Sequence, residues 1–206
     1  MNVNYTNIAW GGDITDGNVR EGVVRSNNNE IFFNGGVTSV SINSLLTELD
    51  TVISKVTKAQ TTLIQNTNNN PVEIILYIDS PGGSVKDCFK FIDHIDILKK
   101  NHNLNLTTVC NGIAASAGTL MALVGDKRYI TRHSVYMIHE LFGQSIGTFT
   151  HLTSRIKHIN MLHDNIVALY LKYVPSLDRE KLLNLLQTET WFSAQECQDM
   201  GIADII

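Results

Sequence analysis

Gly112-Ile113-Ala114-Ala115-Ser116-Ala117-Gly118 joins a β-branched run, Leu106-Thr107-Thr108-Val109-Cys110, to a helix-forming one, Thr119-Leu120-Met121-Ala122-Leu123. The first run reads as a buried strand and the second as a helix. A strand that passes through small residues into a helix sets a serine on a sharp turn with its hydroxyl exposed. The usual elbow pattern is Gly-x-Ser-x-Gly; here it is Ala114-x-Ser116-x-Gly118, one methyl away. Small neighbours admit a substrate backbone to van der Waals contact. The helix start supplies N–H donors and partial positive charge for a developing oxyanion. The competing reading makes Ser116 a plain helix N-cap, since Ser before an apolar run is a common helix start.

Upstream, Val72-Glu73-Ile74-Ile75-Leu76-Tyr77-Ile78 is nearly all apolar, as a strand covered on both faces would be. Asp79-Ser80-Pro81-Gly82-Gly83-Ser84 then turns into a helix whose expected buried face is Val85, Cys88, Phe89, Ile92, Ile95 and Leu98. Before a polar break at residues 65–71, Ile42, Leu45, Leu46, Leu49, Val52, Ile53 and Val56 recur at helical spacing. Glu30-Ile31-Phe32-Phe33 reads as a short strand ending at Gly35-Gly36. Residues 1–29, polar and Asn/Gly-rich, read as an N-terminal arm before a single domain over residues 30–206.

Downstream, Arg128-Tyr129-Ile130 and Ser134-Val135-Tyr136-Met137-Ile138 read as short strands. Residues 141–148 are glycine-punctuated, a hairpin or loop, and a long helix is expected from about Thr150 to Tyr173. Ser176 is the expected cap of a short helix holding Leu182, Leu183 and Leu186. Ser193-Ala194-Gln195-Glu196 has the form of a capping box, and Gly201 ends the last helix. This alternation defines an α/β fold of repeated strand-turn-helix units with parallel strands and helical crossovers. Ligands in such folds sit at the carboxyl ends of strands, and the 79–84 turn, Ser116 and His139 all fall there.

A chain of 206 residues with 43% apolar and 17% charged residues is a globular protein of ordinary size. Net charge of −4 gives no basic footprint, so nucleic acid is not an expected partner. The opening Met1-Asn2-Val3-Asn4-Tyr5 lacks the basic and apolar regions of a signal, and no apolar run approaches spanning length. No membrane association is expected. Three widely spaced cysteines, Cys88, Cys110 and Cys197, argue against a disulfide framework and fit a reducing, cytoplasmic setting. The seven histidines include no His-x-x-x-His pair, and no Gly-Lys-Ser/Thr follows Gly83, so neither metal nor nucleotide nor any other cofactor is expected.

Acyl transfer by serine needs a base, a group that fixes the base's tautomer, and donors for the oxyanion. His139 is the best base, ending the apolar strand in Met137-Ile138-His139-Glu140; a histidine merely satisfied at a strand end is the competing account. Gly82-Gly83 after Pro81 lets a backbone come close, so the Gly83 N–H is a candidate oxyanion donor alongside that of Ala117. Without Ser116 the same turn would be an ordinary strand-to-helix connection.

Four motifs in register carry a resemblance. Ser80-Pro81-Gly82-Gly83-Ser84, the elbow 112–118, Met137-Ile138-His139, and Phe192-Ser193-Ala194-Gln195-Glu196 with Gly201-Ile202-Ala203-Asp204 resemble the proteolytic subunit of the Clp protease from about Ile31 to the C-terminus. The resemblance implies a Clp/crotonase-like fold and a serine peptidase with Ser116 as nucleophile, His139 as base, and Gly83 and Ala117 as oxyanion hole. It implies that substrate is met by Gly82 and Ser84 and pairs as an added strand with the segment holding Gly143, Gln144 and Ser145. It further implies stacked heptameric rings joined by a handle over residues 142–173, and unfolded polypeptide delivered by an AAA+ unfoldase. Two positions depart from the family. Glu189 stands where its catalytic Asp is usual, and Thr188 where it often has an Arg tied to ring-ring contact. The axial loop of the family is not recognisable in residues 1–29, and the wording around Glu189 is closer to phage-encoded members. A crotonase-like acyl-CoA-binding enzyme and a ring subunit without catalysis are the alternatives.

Overall fold

The computed structural model describes residues 22–63 and 71–206. Most of the N-terminal arm and residues 65–70 of the polar break therefore lie outside the described residues. One mixed seven-stranded sheet, parallel at its centre and antiparallel at both ends, is ordered β1-β2-β3-β4-β6-β7 with β5 beside β4. β1 (Val23–Asn27) and β2 (Glu30–Asn34) form an antiparallel hairpin through Asn28, which takes φ 55°. The last part of the stretch read as an arm is thus a sheet edge. Its alternating half-buried pattern was too polar to be read as a strand.

α1 (Ser39–Leu63) buries Ile42, Leu45, Leu49, Val52 and Ile53, the face its spacing predicts. β3 (Val72–Ser80) lies parallel between β2 and β4 (Leu104–Ala115) and buries Val72, Ile74, Leu76 and Ile78. α2 (Val85–His102) buries Cys88, Phe91, Ile92, Ile95 and Leu98. Phe91 takes the deep position expected of Phe89, which is only partly buried.

β4 has a break that matters for the site. Between Ile78↔Cys110 and Ser80↔Ala114, β3 advances two residues while β4 advances four. The loosened backbone is held by side chains: Gly112 N donates to Ser134 Oγ at 2.7 Å and Ile113 N to Asp79 Oδ1 at 3.0 Å. Such bulges re-aim the residues that follow. Before the break β4 pairs with β5 (Lys127–Ile130), and after it with β6 (Val135–Ile138), both parallel.

α3 (Ala117–Leu123) is buried throughout. α4 (Phe149–Tyr173) is a 25-residue helix anchored near its end by Ile166, Val167 and Tyr170, while Phe149, Ile156 and Met161 are exposed. α5 (Arg179–Gln187) is capped by Asp178, whose carboxylate accepts from Lys181 N at 2.7 Å. The cap is not Ser176, whose hydroxyl donates instead to the Met200 carbonyl. An Asp two residues nearer the helix displaces it.

β7 (Thr190–Ser193) is a strand that periodicity did not announce. It closes the sheet antiparallel to β6. The capping box at Ser193 and Glu196 opens α6 (Ala194–Met200), and Gly201 ends it at φ 75°. All three cysteines are free and buried. Burial pushes the thiols of Cys110 and Cys197 up to about 12, so they pack as apolar groups rather than as nucleophiles. Among the described residues no helix is long and apolar enough to cross a membrane, and no cluster could hold a metal ion.

Candidate active site

Ser116 ends β4 and precedes α3 in a conformation no plain cap adopts, φ 53° and ψ −124°. An N-cap residue is normally extended and lends its side chain to the helix. Ser116 is not extended, and its hydroxyl makes no cap bond. A non-glycine residue in so sparse a region costs of order 1–3 kcal/mol and persists only where its surroundings hold it. Here Ser116 N donates to Met137 O at 2.9 Å, and its carbonyl accepts from Thr119 N at 3.0 Å and Thr119 Oγ1 at 2.6 Å. Cys88 Sγ, 3.3 Å from the Ala117 carbonyl, packs beneath the start of α3.

The 79–84 turn lies directly against this elbow. A Cβ on Gly82, at φ 94°, would fall 2.6 Å from Ala115 O, 2.6 Å from Ser116 Cβ and 3.0 Å from Ala117 N. Only glycine permits that approach. On Gly83, at φ 142°, a Cβ would stand 2.4 Å from Val37 O. The turn is fixed by Val37 N to Gly82 O and Ser84 N to Val37 O, both 2.8 Å. Gly83's own N–H takes no part in these bonds, and Gly83 is exposed. Ser84 caps α2, accepting from Asp87 N at 3.3 Å.

His139, half-buried, is the first residue after β6. The β4–β6 register sets Ala115 beside Met137, so Ser116 and His139 leave adjacent parallel strands at the same end. The β6–β7 register ends at the pair Ile138 and Thr190; His139 is the residue after that pair on one strand and Glu189, in a turn at φ 46°, the residue before it on the other. Ser116 and His139 thus follow neighbouring strands, with Gly82 against the serine and Glu189 just before β7. The side chains of Ser116, His139 and Glu189 make no hydrogen bond to one another within the single chain, and Glu189, at φ 46°, is exposed. Catalytic hydrogen bonds are often long or unaligned before substrate binds.

Two rival carboxylates are occupied elsewhere: Asp178 caps α5, and Asp164 pairs with Arg179 at 3.5 Å on the surface. Gly143, Gln144 and Ser145 lie in an exposed, irregular segment, and nothing approaches within 4 Å of where a Gly143 Cβ would be. Sequence reasoning missed three supports of the site: Asp79 and Ser134, which hold the bulge, and Thr119, which holds the elbow. The last had a readable signal, a hydroxyl three residues after the serine.

An α/β sheet with a strained serine elbow and a histidine just past the neighbouring strand is an arrangement suited to a hydrolase of the serine type. Residues 35–206 match the Clp protease family, and the chain belongs to it. It is 33% identical over 135 residues to the ATP-dependent Clp protease proteolytic subunit 1 of Chlamydia abortus, covering 64% of this chain and 68% of that one. It is 28% identical over 176 residues to the proteolytic subunit of Deinococcus radiodurans, with 84% and 78% covered, and 30% over 146 residues to subunit 2 of Bacillus licheniformis, with 70% and 74% covered. The chain is a protease of the Clp type, and the acyl-CoA-binding alternative falls away.

Proposed function

We propose that Ser116 attacks the scissile carbonyl of an unfolded polypeptide while His139 Nε2 takes the hydroxyl proton. Glu189 accepts the His139 Nδ1–H, which fixes the tautomer and stabilises the imidazolium that forms. The oxyanion is received by the Gly83 and Ala117 N–H groups. Collapse transfers the proton from His139 to the leaving amine and leaves an acyl-Ser116, which water, activated by the same imidazole, then hydrolyses. The substrate lies extended past Gly82 and Ser84 and pairs with the segment that holds Gly143, Gln144 and Ser145 as an added strand.

The observation that carries this reading is the backbone of Ser116. A serine at φ 53° with its hydroxyl uncommitted to the helix supports a role in attack over one in capping. The chain works as an oligomer: Phe142, Ile146 and Phe149 are 86%, 93% and 86% exposed, and a soluble protein covers such a stretch by association. Stacked heptameric rings are the form we infer, acting in the cytoplasm with an AAA+ unfoldase that supplies the nucleotide-driven step. A fluorophosphonate probe, with the labelled residue mapped by mass spectrometry on the assembled protein, should modify Ser116. Labelling of another residue, or none, would overturn the assignment.

A further inference from the structure

The elbow is held by a contact that reaches into the long helix. Thr119 Oγ1 donates its single proton to the Ser116 carbonyl at 2.6 Å. Its oxygen also meets the phenol oxygen of Tyr170, on α4. Because the Thr119 proton is already committed, Tyr170 is the donor in that second bond. Burial pushes the Tyr170 phenol up, which keeps the proton on it. Thr119 and Tyr170 are 0% and 2% exposed, so water does not compete for either group. The result is a directed relay from Tyr170 O–H to Thr119 O–H to the Ser116 carbonyl, in which each bond polarises the next.

The Ser116 carbonyl belongs to the same peptide unit as the Ala117 N–H. That unit is planar and trans, so fixing the direction of C=O fixes the opposite direction of N–H. We infer that Thr119 and Tyr170 are positioning residues that aim and polarise the Ala117 N–H as an oxyanion donor. Neither touches substrate. The inference rests on Ser116 being the nucleophile, and it extends that reading to a residue on α4, outside the motifs.

The test uses the assembled protein with Thr119→Val, Thr119→Ser and Tyr170→Phe. Fluorophosphonate titration counts competent sites, and kcat and KM for a fluorogenic peptide are expressed per titrated site. Loss of a whole oxyanion donor costs about 10²–10³ in kcat, so a misaimed one should cost about 10- to 100-fold in Thr119→Val with KM within about twofold. Thr119→Ser should restore kcat to within about threefold of the parent, and Tyr170→Phe should fall between the two. A merely structural role would lower the number of titrated sites and leave turnover per site unchanged; that outcome overturns the inference. So does a change confined to KM, or a Thr119→Ser variant as poor as Thr119→Val. If Thr119→Val fails to assemble, Tyr170→Phe, which removes one oxygen, decides alone. Failure of the underlying reading is separate: the parent protein would then not label at Ser116.

Discussion

Ser84 and Ser116 stand at the same point of two strand-turn-helix units, and the chain uses them in opposite ways. Ser84 is extended, at φ −67° and ψ 111°, and its hydroxyl closes the first turn of α2. Ser116 is at φ 53° and ψ −124° and closes nothing. In the first unit the unusual backbone falls on Gly82 and Gly83, at φ 94° and 142°, where no Cβ resists it. In the second it falls on the serine itself, so the side chain is turned away from its own helix. Committing a hydroxyl to a cap and freeing it for chemistry are alternatives. Which one a strand-to-helix serine adopts depends on where the turn concentrates its strain.

The largest expected effect removes the free hydroxyl. Ser116→Ala should lower peptide turnover by on the order of 10⁶ where chemistry limits the rate, as loss of a triad serine does elsewhere. Sedimentation should show the assembly unchanged. Parental cleavage by this variant would mean that the strained serine is not the nucleophile and that the contrast with Ser84 has no catalytic content.

Next in size is the carboxylate proposed to orient His139. Glu189→Gln keeps the shape but cannot balance an imidazolium, and turnover should fall by on the order of 10²–10⁴. Glu189→Asp should be much milder. Asp178→Asn retains the α5 cap, because Asn caps as well as Asp, and Asp164→Asn removes only a surface pair. Should either of these abolish turnover while Gln at 189 is neutral, the third member of the triad has been misassigned.

The glycine turn tests whether the two units are coupled by contact. In Gly82→Ala the new methyl meets Ser116 Cβ and Ala115 O at 2.6 Å, so the elbow must shift. A displacement near 1 Å at a reacting group costs about 10²-fold in rate, and the positive φ adds roughly 1–2 kcal/mol of destabilisation. Gly143→Ala meets nothing within 4 Å, and its stability should stay within the roughly ±0.5 kcal/mol of an ordinary surface change. Equal stability losses at the two positions would refute the contact argument.

Much of this was legible before any coordinates. Apolar runs announced β3, β4 and β6, and helical spacing announced α1, because each of those elements buries a face; the same spacing announced α4, although only Ile166, Val167 and Tyr170 of that helix are buried. What escaped is instructive. β7 is four residues long, with Thr190 half-buried and Trp191 exposed, so it has no periodicity to read; it becomes a strand because β6 offers it an edge. Yet β7 begins at the residue that follows Glu189 and pairs with the strand that precedes His139. The φ of Ser116 was equally unreadable. Ser116 and Ser84 both precede apolar helices, and the bond that Ser116 N donates to the Met137 carbonyl and those its own carbonyl accepts from Thr119 separate elbow from cap. The strand ends and turns that hold the candidate residues were legible; the contacts that fix the elbow's backbone were not.

The smallest expected effect addresses the other serine. Ser84→Ala removes the acceptor for Asp87 N, one of the unpaired donors at the start of α2. Loss of such a cap destabilises by about 0.5–2 kcal/mol, which in a chain of this size lowers the unfolding midpoint by about 2–4 °C per kcal/mol. Ser84→Asn, which keeps a capping oxygen, should recover most of that loss. Thermal unfolding of the assembled protein measures both. The control is Ser116→Ala, which has no cap bond to lose and should show no corresponding drop. If Ser84→Ala leaves the midpoint unchanged, or if Ser116→Ala lowers it as much, then the hydroxyl at 84 is not holding the helix and the division of labour between the two serines fails at its structural end, whatever the kinetics of Ser116 show.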